Sequence, residues 1–174
     1  LDMLQYCVQT LTERGYVFIG MDHFAKPDDE LSIALKEGFL QRNFQGYSTY
    51  ADCDLVAIGV SSIGKIGSTY SQNERDIDAY YAALDAGHLP IMRGYQLNQD
   101  DILRRNIIQD LMCRFSLNYQ IYESVFGIPF SRYFAAELKD MKQLETLGLV
   151  RLKPHSLTVT PKGRFLIRNI AMVF

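Results

Sequence analysis

The hydrophobic pattern of the chain changes near residue 95, and this change constrains its fold more than any other feature. Before it, a helically spaced stripe (Leu1, Leu4, Val8, Leu11) is followed after Gly15 by a continuous apolar run at residues 16–21. A helix, a short turn and a strand covered on both faces form one αβ unit of a parallel sheet. After residue 95, helical patterns predominate. The chain is therefore predicted to be an α/β protein with a mostly helical C-terminal part.

Two further helices are predicted in the first half. Residues 28–38 begin with acidic side chains and end at Gly38, which is typical of a short helix. Asn73 is predicted to cap a second helix that ends at Gly87 and carries an apolar stripe of Ile77, Tyr80, Tyr81 and Leu84. Between them, residues 54–60 form a second apolar run, in which Gly59 would allow a close approach of backbone or ligand.

The second half has the element order of a winged-helix domain. Asn98 and Asp101 form a capping pattern before a helix with the buried stripe Leu103, Ile107, Leu111 and Phe115. Helices at 119–126 and 131–147 follow. Short strands at 149–152 and 157–160 are predicted to pair as a hairpin, and Pro161 starts a last helix that runs to the C-terminus.

Charge and composition exclude several classes of protein. The formal net charge is −2 and the pI is near 5.9, so there is no basic footprint for nucleic acid or anionic membranes. No apolar run reaches the roughly 20 residues needed to cross a bilayer, and no signal-peptide pattern is present. We therefore expect a cytoplasmic protein that binds neither nucleic acid nor membranes.

The sequence lacks the motifs of several self-contained enzymes and metal sites. The three cysteines (Cys7, Cys53, Cys113) are far apart and form no CxxC or CxxxCxxC, so neither a disulfide framework nor a cluster site is predicted. The three histidines are equally dispersed, and we predict no metal ligands. A nucleophile elbow, a phosphate loop and a dinucleotide fingerprint are also missing, which argues against a self-contained hydrolase or kinase.

Three segments combine polar groups with aromatic or glycine residues. The first, GMDHFA at residues 20–25, follows the predicted parallel strand, where α/β proteins bind ligands, so Asp22 and His23 are candidate site residues. Alternatively, Asp22 caps the following loop and His23 satisfies a buried hydrogen bond. The second, RNFQGY at residues 42–47, offers a cation, amides and aromatic rings for a planar polar ligand. In the third, GVSSIG at residues 59–64, backbone N–H groups between glycines could face an anion or an adenine edge, or simply form a turn.

Together with neighbouring stretches, these segments resemble the oxygen-independent coproporphyrinogen III oxidases. The resemblance rests on six motifs in the order and at the spacing of that family: YVFIGMDHFA at 16–25, PDDEL at 27–31, RNFQGY at 42–47, GVSSI at 59–63, YSQN at 70–73 and GRFLIRNIAMVF at 163–174. It covers essentially the whole chain. The related haem-chaperone branch has an HNxxYW-like stretch where this chain has RNFQGY, so the oxidase branch is the better match.

The resemblance implies a radical S-adenosylmethionine (SAM) enzyme of haem biosynthesis. Such an enzyme has a partial (β/α) barrel that carries a 4Fe-4S cluster, followed by a winged-helix-like C-terminal domain over the barrel mouth. By this resemblance, residues 1–70 would be the end of the barrel with active-site loops, 71–97 a connecting helix and linker, and 98–174 the C-terminal domain. The CxxxCxxC motif would lie upstream of Leu1, so the chain is expected to be a C-terminal fragment that holds no cluster and is inactive alone.

The resemblance also implies the reaction and its site. The family forms a deoxyadenosyl radical that takes hydrogen from a propionate of coproporphyrinogen III, and loss of carbon dioxide and an electron leaves a vinyl group on each of two propionates. Of the two SAM molecules in the full-length enzyme, the second would lie near Gln45, Ile63 and Phe44. The electron donor and acceptor are unknown, and the full-length enzyme is expected to be a monomer.

A tetracarboxylate substrate also requires positive charge, and Arg42 lies within the second segment, with Lys26 and Arg93 close to the others. Asp22, His23 and Arg42 are therefore candidate substrate-binding residues. Arg168 and Asn169 match the last motif, and we expect them to secure the final helix. No catalytic residue is assigned within this chain.

A different hypothesis treats the second half as a winged-helix regulator that binds DNA or protein. Its candidate recognition helix at 131–147 carries three basic and three acidic side chains: Arg132, Lys139, Lys142, Glu137, Asp140 and Glu145. This balanced face is unsuited to phosphates, which argues against DNA. Contact of this helix with another protein domain stays open as an alternative.

Overall fold

The computed structural model describes residues 2–50 and 53–174. Its contacts divide the described chain into two compact units. The first comprises residues 2–50 together with Leu103–Phe174, and the second comprises residues 53–102. The sequence predicts boundaries after residues 70 and 97, and the boundaries of these two units fall at other residues. The assignment of these segments to a barrel end, a linker and a C-terminal domain therefore stays a prediction.

The N-terminal part of the first unit consists of short elements: α1 (Asp2–Glu13), β1 (Val17–Gly20), β2 (His23–Ala25), α2 (Glu30–Glu37), β3 (Gln41–Arg42) and β4 (Tyr47–Ser48). The strands form two antiparallel pairs, β1 with β2 and β3 with β4. Gly15, at φ +82°, follows α1 as predicted, whereas Leu1 lies outside the described residues. Helix α2 is also confirmed: Asp29 accepts a hydrogen bond from the Leu31 amide, and Gly38 ends the helix in the left-handed conformation.

The predicted parallel strand at residues 16–21 is present as β1, but its described partner is antiparallel. Gly20 and Met21 have positive φ angles of 158° and 56°, and they reverse the chain directly after the strand. The reversal brings β2 back along β1, so Phe18 pairs with Phe24. The first polar segment, residues 20–25, therefore begins in a tight turn at Gly20 and Met21.

The C-terminal part contains α4 (Gln99–Arg114), β8 (Ser116–Asn118), α5 (Tyr119–Phe126), α6 (Phe130–Tyr133), α7 (Ala135–Thr146), β9 (Val150–Lys153), β10 (Ser156–Val159), α8 (Pro161–Arg164) and α9 (Ile167–Ala171). Asn98 and Asp101 cap each other's backbone amides at the start of α4, as predicted. The predicted hairpin of β9 and β10 is also confirmed. A third strand that the sequence analysis missed, β8, pairs with β10 and gives the sheet order β8–β10–β9.

Two helices that the sequence predicts as continuous are interrupted. The helix expected at 131–147 is divided into α6 and α7 at Phe134, whose φ and ψ of −100° and 34° leave the helical region. This deviation accompanies complete burial of the Phe134 ring, which packs against Phe130 and Phe174. The last helix is likewise divided at Leu166, with φ −117° and ψ 25°. At Phe134, tertiary packing overrides helix propensity.

The first unit has one hydrophobic core that joins its N-terminal and C-terminal parts. Ile19 of β1 and Leu40, just before β3, are completely buried together with Ile107 and Leu111 of α4. The same cluster includes Leu157 of β10 and a group of stacked aromatic rings: Tyr119, Tyr122, Phe130, Phe134 and Phe174. Helix α4 therefore connects the hairpins that carry the first two polar segments to the winged-helix-like part.

The second unit consists of β5 (Ile63–Ile66), β6 (Thr69–Asn73), α3 (Ile77–Asp85) and β7 (Ile91–Gln96). The strands form an antiparallel sheet in the order β5–β6–β7, and β7 was missed from the sequence. The prediction that Asn73 caps α3 is wrong, because Asp76 caps that helix and Asn73 ends β6. In the apolar run at 54–60, Val56 and Ile58 are 69% and 83% exposed. No helix in the described ranges, 2–50 and 53–174, is long and apolar enough to cross a membrane.

Candidate functional site

Asp22 and His23 lie at the turn between β1 and β2. The Nδ1 atom of His23 is 2.9 Å from Asp22 Oδ1, and the Asp22 side chain is largely exposed while that of His23 is about one-third exposed. The two atoms are close, but their geometry is not that of a hydrogen bond. The structure thus brings the first two candidate residues together at a surface turn, where the carboxylate faces solvent.

The second polar segment forms the hairpin of β3 and β4. Arg42 pairs with Tyr47 across the two strands, and residues 43–46 form the loop between them. Asn43 stabilises this loop because its Oδ1 accepts hydrogen bonds from the amides of Gln45, at 2.8 Å, and Gly46, at 3.2 Å. The Gln45 side chain is exposed, and Phe44 is 57% exposed at the tip. The hairpin therefore has a fixed backbone and an accessible tip.

The two hairpins are packed against each other in the first unit. The His23 ring meets the Tyr47 ring edge-on, with 5.1 Å between the ring centres. Two glycines permit this approach. A side-chain carbon at Gly46 would lie 3.1 Å from His23 Nε2, and one at Gly20 would overlap the Tyr47 hydroxyl. Asp22, His23, Arg42 and the loop of Gln45 are thus brought into one neighbourhood.

Tyr47 and Cys113 are held in their neutral forms at the base of this neighbourhood. Burial raises the pKa of Tyr47 to about 12, against the opposing effect of Arg42, whose guanidinium is 5.2 Å from the Tyr47 ring centre. The Tyr47 hydroxyl donates a hydrogen bond to the Met112 carbonyl oxygen of α4. Burial likewise raises the pKa of the Cys113 thiol to about 12, so this cysteine is not a thiolate near neutral pH.

Arg42 has a buried guanidinium nitrogen that donates no hydrogen bond within the described residues. Its Nη1 atom is buried, and within residues 2–50 and 53–174 it has no hydrogen-bond partner. A buried guanidinium N–H group without an acceptor is unfavourable, and a carboxylate is the acceptor that arginine pairs with best. Of the other cations singled out, Lys26 lies over the Tyr16 ring and Arg93 donates to the Gln72 side chain. Arg42 is therefore the candidate best suited to an anionic ligand.

The third polar segment, which includes Ile63, lies in the second unit. Ile63 is the partly buried first residue of β5. Asn73 donates from its side-chain amide to the carbonyl oxygens of Ala57 and Gly59, and so it fixes the turn that precedes Ile63. The backbone amide of Gly59 donates to the Tyr80 hydroxyl, and that of Ser61 donates to the Glu74 carbonyl. The expectation that backbone N–H groups of this turn face an anion is thus wrong for the amides of Gly59 and Ser61.

The described residues offer no site for an iron–sulfur cluster. In ranges 2–50 and 53–174, no group of three or more histidine, cysteine, aspartate or glutamate side chains could hold a metal ion. Cys7 and Cys53 are exposed and Cys113 is buried, and all three are free thiols.

Comparisons with known proteins agree with the resemblance of the motifs. Residues 97–166 match the HemN C-terminal domain. The whole chain is 50% identical to the oxygen-independent coproporphyrinogen III oxidase of Synechocystis, 49% identical to that of Pseudomonas aeruginosa and 48% identical to that of Escherichia coli. In each case it covers 38% of the relative.

A solved structure gives the same result. The chain matches the E. coli coproporphyrinogen III oxidase HemN, described as a radical SAM enzyme, with a TM-score of 0.94 and 47% sequence identity. The match covers 99% of this chain and 40% of the solved chain. The chain thus spans about two fifths of the length of the relatives that it matches. Along its whole length, the chain is therefore similar to the oxygen-independent coproporphyrinogen III oxidases.

Proposed function

We propose that the full-length protein containing this chain is an oxygen-independent coproporphyrinogen III oxidase. It would convert two propionate side chains of coproporphyrinogen III to vinyl groups, with loss of hydrogen, carbon dioxide and one electron at each, to give protoporphyrinogen IX for haem. The observation that carries this proposal is sequence identity of 48–50% to relatives of that name along the entire chain. We further propose that the full-length protein is a cytoplasmic monomer.

The difficult chemistry belongs to a 4Fe-4S cluster and SAM, which would supply the radical that removes hydrogen from a propionate. This chain would instead contribute binding and orientation. The regulator hypothesis gains no support from the structure, since the exposed Asp140 and Glu145 lie beside the lysines of α7.

We propose that Phe44 and Gln45, in the first unit, hold the second of two SAM molecules. Phe44 and Gln45 fit this role because they are exposed on a loop whose backbone Asn43 fixes. An aromatic ring can stack on a planar group, and the adjacent amide can both donate and accept hydrogen bonds. Gly46, at φ +146°, lets the backbone approach His23 closely and so sets the direction of the tip.

We propose that Arg42 pairs with a carboxylate of the substrate and that Asp22 and His23 line the same site. The buried, unpaired Nη1 atom of Arg42 supports this role. The Tyr47 ring restricts the guanidinium to one side, which favours a directed pair over a solvated charge. His23 contacts both Asp22 and Tyr47, so it connects the turn of β1 and β2 to the arginine-bearing hairpin.

An anaerobic assay of the full-length protein tests the function. With SAM, a reductant and an electron acceptor, it should convert coproporphyrinogen III to the divinyl product, measured by chromatography after oxidation to porphyrins. The absence of vinyl products from a protein that carries a complete cluster would refute the proposal.

Replacement of Arg42 tests its role in the same assay. Arg42→Gln should raise the KM for coproporphyrinogen about tenfold to a hundredfold, since a hydrogen bond to a charged group contributes about 1.5–3 kcal/mol. Arg132→Gln, at an exposed position of α6, is the matched control and should leave KM unchanged. A lower melting temperature with unchanged KM would show that Arg42 pairs with a protein group instead.

A further inference from the structure

Helix α4 is bonded to the strand that leads into the loop of Phe44 and Gln45. Gln109 of α4 donates from Nε2 to Gln41 Oε1, at 2.7 Å, and to the Arg42 carbonyl oxygen, at 3.0 Å. These contacts connect positions 67 and 68 residues apart in the chain, so they belong to tertiary structure and not to a local turn. Gln109 is partly buried, where its amide depends on such protein partners.

The same helix also binds the strand that leaves the loop. Tyr47 of β4 donates its hydroxyl hydrogen bond to the Met112 carbonyl oxygen, at 3.1 Å. Gln109 and Met112 are three residues apart, and residues at this spacing lie on the same side of a helix. One turn of α4 thus holds both ends of the loop at residues 43–46. The loop itself contributes the bonds of Asn43 to the amides of Gln45 and Gly46.

From this arrangement we infer that Gln109 is a positioning residue for SAM, acting through the backbone of the loop that presents Phe44 and Gln45. The inference rests on the proposed function, in which these two side chains contact SAM. Gln109 bonds to the hairpin behind them, at Gln41 and the Arg42 carbonyl, and would not contact the ligand. Its loss would keep the side chains of Phe44 and Gln45 but let the loop that carries them move relative to α4.

Gln109→Leu in the full-length protein tests this inference. It removes the donor but keeps a side chain of similar size. We expect the half-saturating SAM concentration for product formation to rise about threefold to tenfold, the effect of one lost hydrogen bond, while kcat falls less. Gln143→Leu, at an exposed position of α7, is the matched control and should leave both values unchanged.

A double substitution distinguishes positioning from general stabilisation. If Gln109 acts through Gln45, then Gln109→Leu should have little further effect on SAM saturation in a Gln45→Ala background. Equal effects of Gln109→Leu in both backgrounds would overturn the inference, as would an unchanged SAM requirement in Gln109→Leu when Gln45→Ala alone raises it. No effect of Gln45→Ala would remove Gln45 from the SAM site, and the inference would fail with that part of the proposed function.

Tyr47→Phe provides a second test from the other strand. It deletes the hydroxyl that bonds to Met112 and keeps the ring that contacts His23 and Arg42. We expect a rise in the half-saturating SAM concentration of the same order, again abolished in the Gln45→Ala background. If Gln109→Leu does not fold, this variant decides the question: a SAM requirement equal to that of the unsubstituted enzyme would overturn the inference.

Discussion

The Tyr122 hydroxyl donates a hydrogen bond of 2.6 Å to the Asp110 carboxylate, and this bond joins α5 to α4 inside the first unit. Tyr122 is buried. Asp110 also forms an ion pair with Arg114, with 3.0 Å between Oδ1 and Nη1. Arg114 in turn donates to the Gly38 carbonyl oxygen at the end of α2. A single chain of polar contacts therefore joins the winged-helix-like part to the helix that precedes the β3–β4 hairpin.

Tyr122→Phe should reduce the free energy of unfolding by about 1–3 kcal/mol, because it leaves the partly buried Asp110 without this donor. Tyr119→Phe is the matched control. Tyr119 is equally buried, but its hydroxyl has no hydrogen-bond partner among residues 2–50 and 53–174. That variant should be neutral or slightly stabilising. Urea denaturation of both variants measures the difference, and equal losses would contradict the assignment of the Asp110 bond.

Alkaline pH should destabilise the protein through the ionisation of its buried tyrosines. Burial raises the pKa of Tyr119 and of Tyr47 from 10.0 to about 12. Between these values the unfolded state has lost protons that the folded state keeps, so stability is complete below pH 10 and declines as the pH rises toward 12. Each tyrosine contributes a slope of about 1.4 kcal/mol per pH unit in this window.

Tyr119→Phe should reduce that decline, and denaturant titrations at several pH values between 9 and 12 measure it. Tyr6→Phe, at a side chain that is 69% exposed, serves as the control and should follow the unsubstituted protein. An unchanged slope for Tyr119→Phe would show that this hydroxyl ionises as readily in the folded state as in the unfolded one.

Gly163→Ala should destabilise the protein by about 1–3 kcal/mol or more, since a methyl group at this buried position of α8 would overlap the Leu149 carbonyl oxygen. The neighbouring backbone cannot easily move, because Thr160 Oγ1 donates to that same carbonyl. Gly94→Ala is the control: it has ordinary φ, and its nearest atom would be 3.5 Å away. Melting temperatures of the two variants provide the comparison, and similar values would be inconsistent with the close packing at Gly163.

Gln45→Ala in the full-length protein should weaken SAM binding roughly tenfold to a hundredfold while folding is retained, because Gln45 is exposed and its side chain would bond to a charged ligand. The alternative is that Gln45 supports its own loop. Asn43 already fixes that loop through the amides of Gln45 and Gly46. Melting temperature and the half-saturating SAM concentration for vinyl-product formation distinguish the two, and an unchanged SAM requirement in a destabilised variant would remove Gln45 from the site.

The present chain, purified alone, should hold no iron–sulfur cluster and show no oxidase activity. None of its cysteines has the CxxxCxxC spacing that the resemblance implies. Iron and sulfide analysis after anaerobic reconstitution, together with an absorbance spectrum, measures this. A stoichiometric four-iron cluster would contradict the prediction.

Local signals in the sequence predict much of this fold. The reciprocal cap of Asn98 and Asp101, the glycine stop after α2 and the bounds of α5 depend on neighbouring residues, and the structure has each of them. Long-range contacts decide what was missed. Asn73 is a common helix cap, but its side chain bonds to backbone 14 and 16 residues earlier, and β8 and β7 are strands because distant partners pair with them.

The candidate site shows the same limit. The six motifs identify the segments that carry Asp22, Arg42 and Gln45, because each motif is a contiguous stretch. Gln109 belongs to no motif and lies beside the apolar stripe of α4, so its spacing resembles that of an ordinary surface glutamine. Only the packing of β3 against α4 reveals its bonds. Residues that position a site therefore have a weaker sequence signal than residues at its tip.

Gly20 of β1 and Gly46 of the loop between β3 and β4 have a consequence for engineering. A side chain at Gly20 would overlap Tyr47 and one at Gly46 would press against His23, whereas the side chains at positions 44 and 45 are exposed. Libraries that vary only the tip would retain the backbone path and sample new ligand preferences. Libraries that vary either glycine would mostly yield misfolded variants. The hairpin can therefore be treated as a fixed backbone on which residues 44 and 45 can be exchanged.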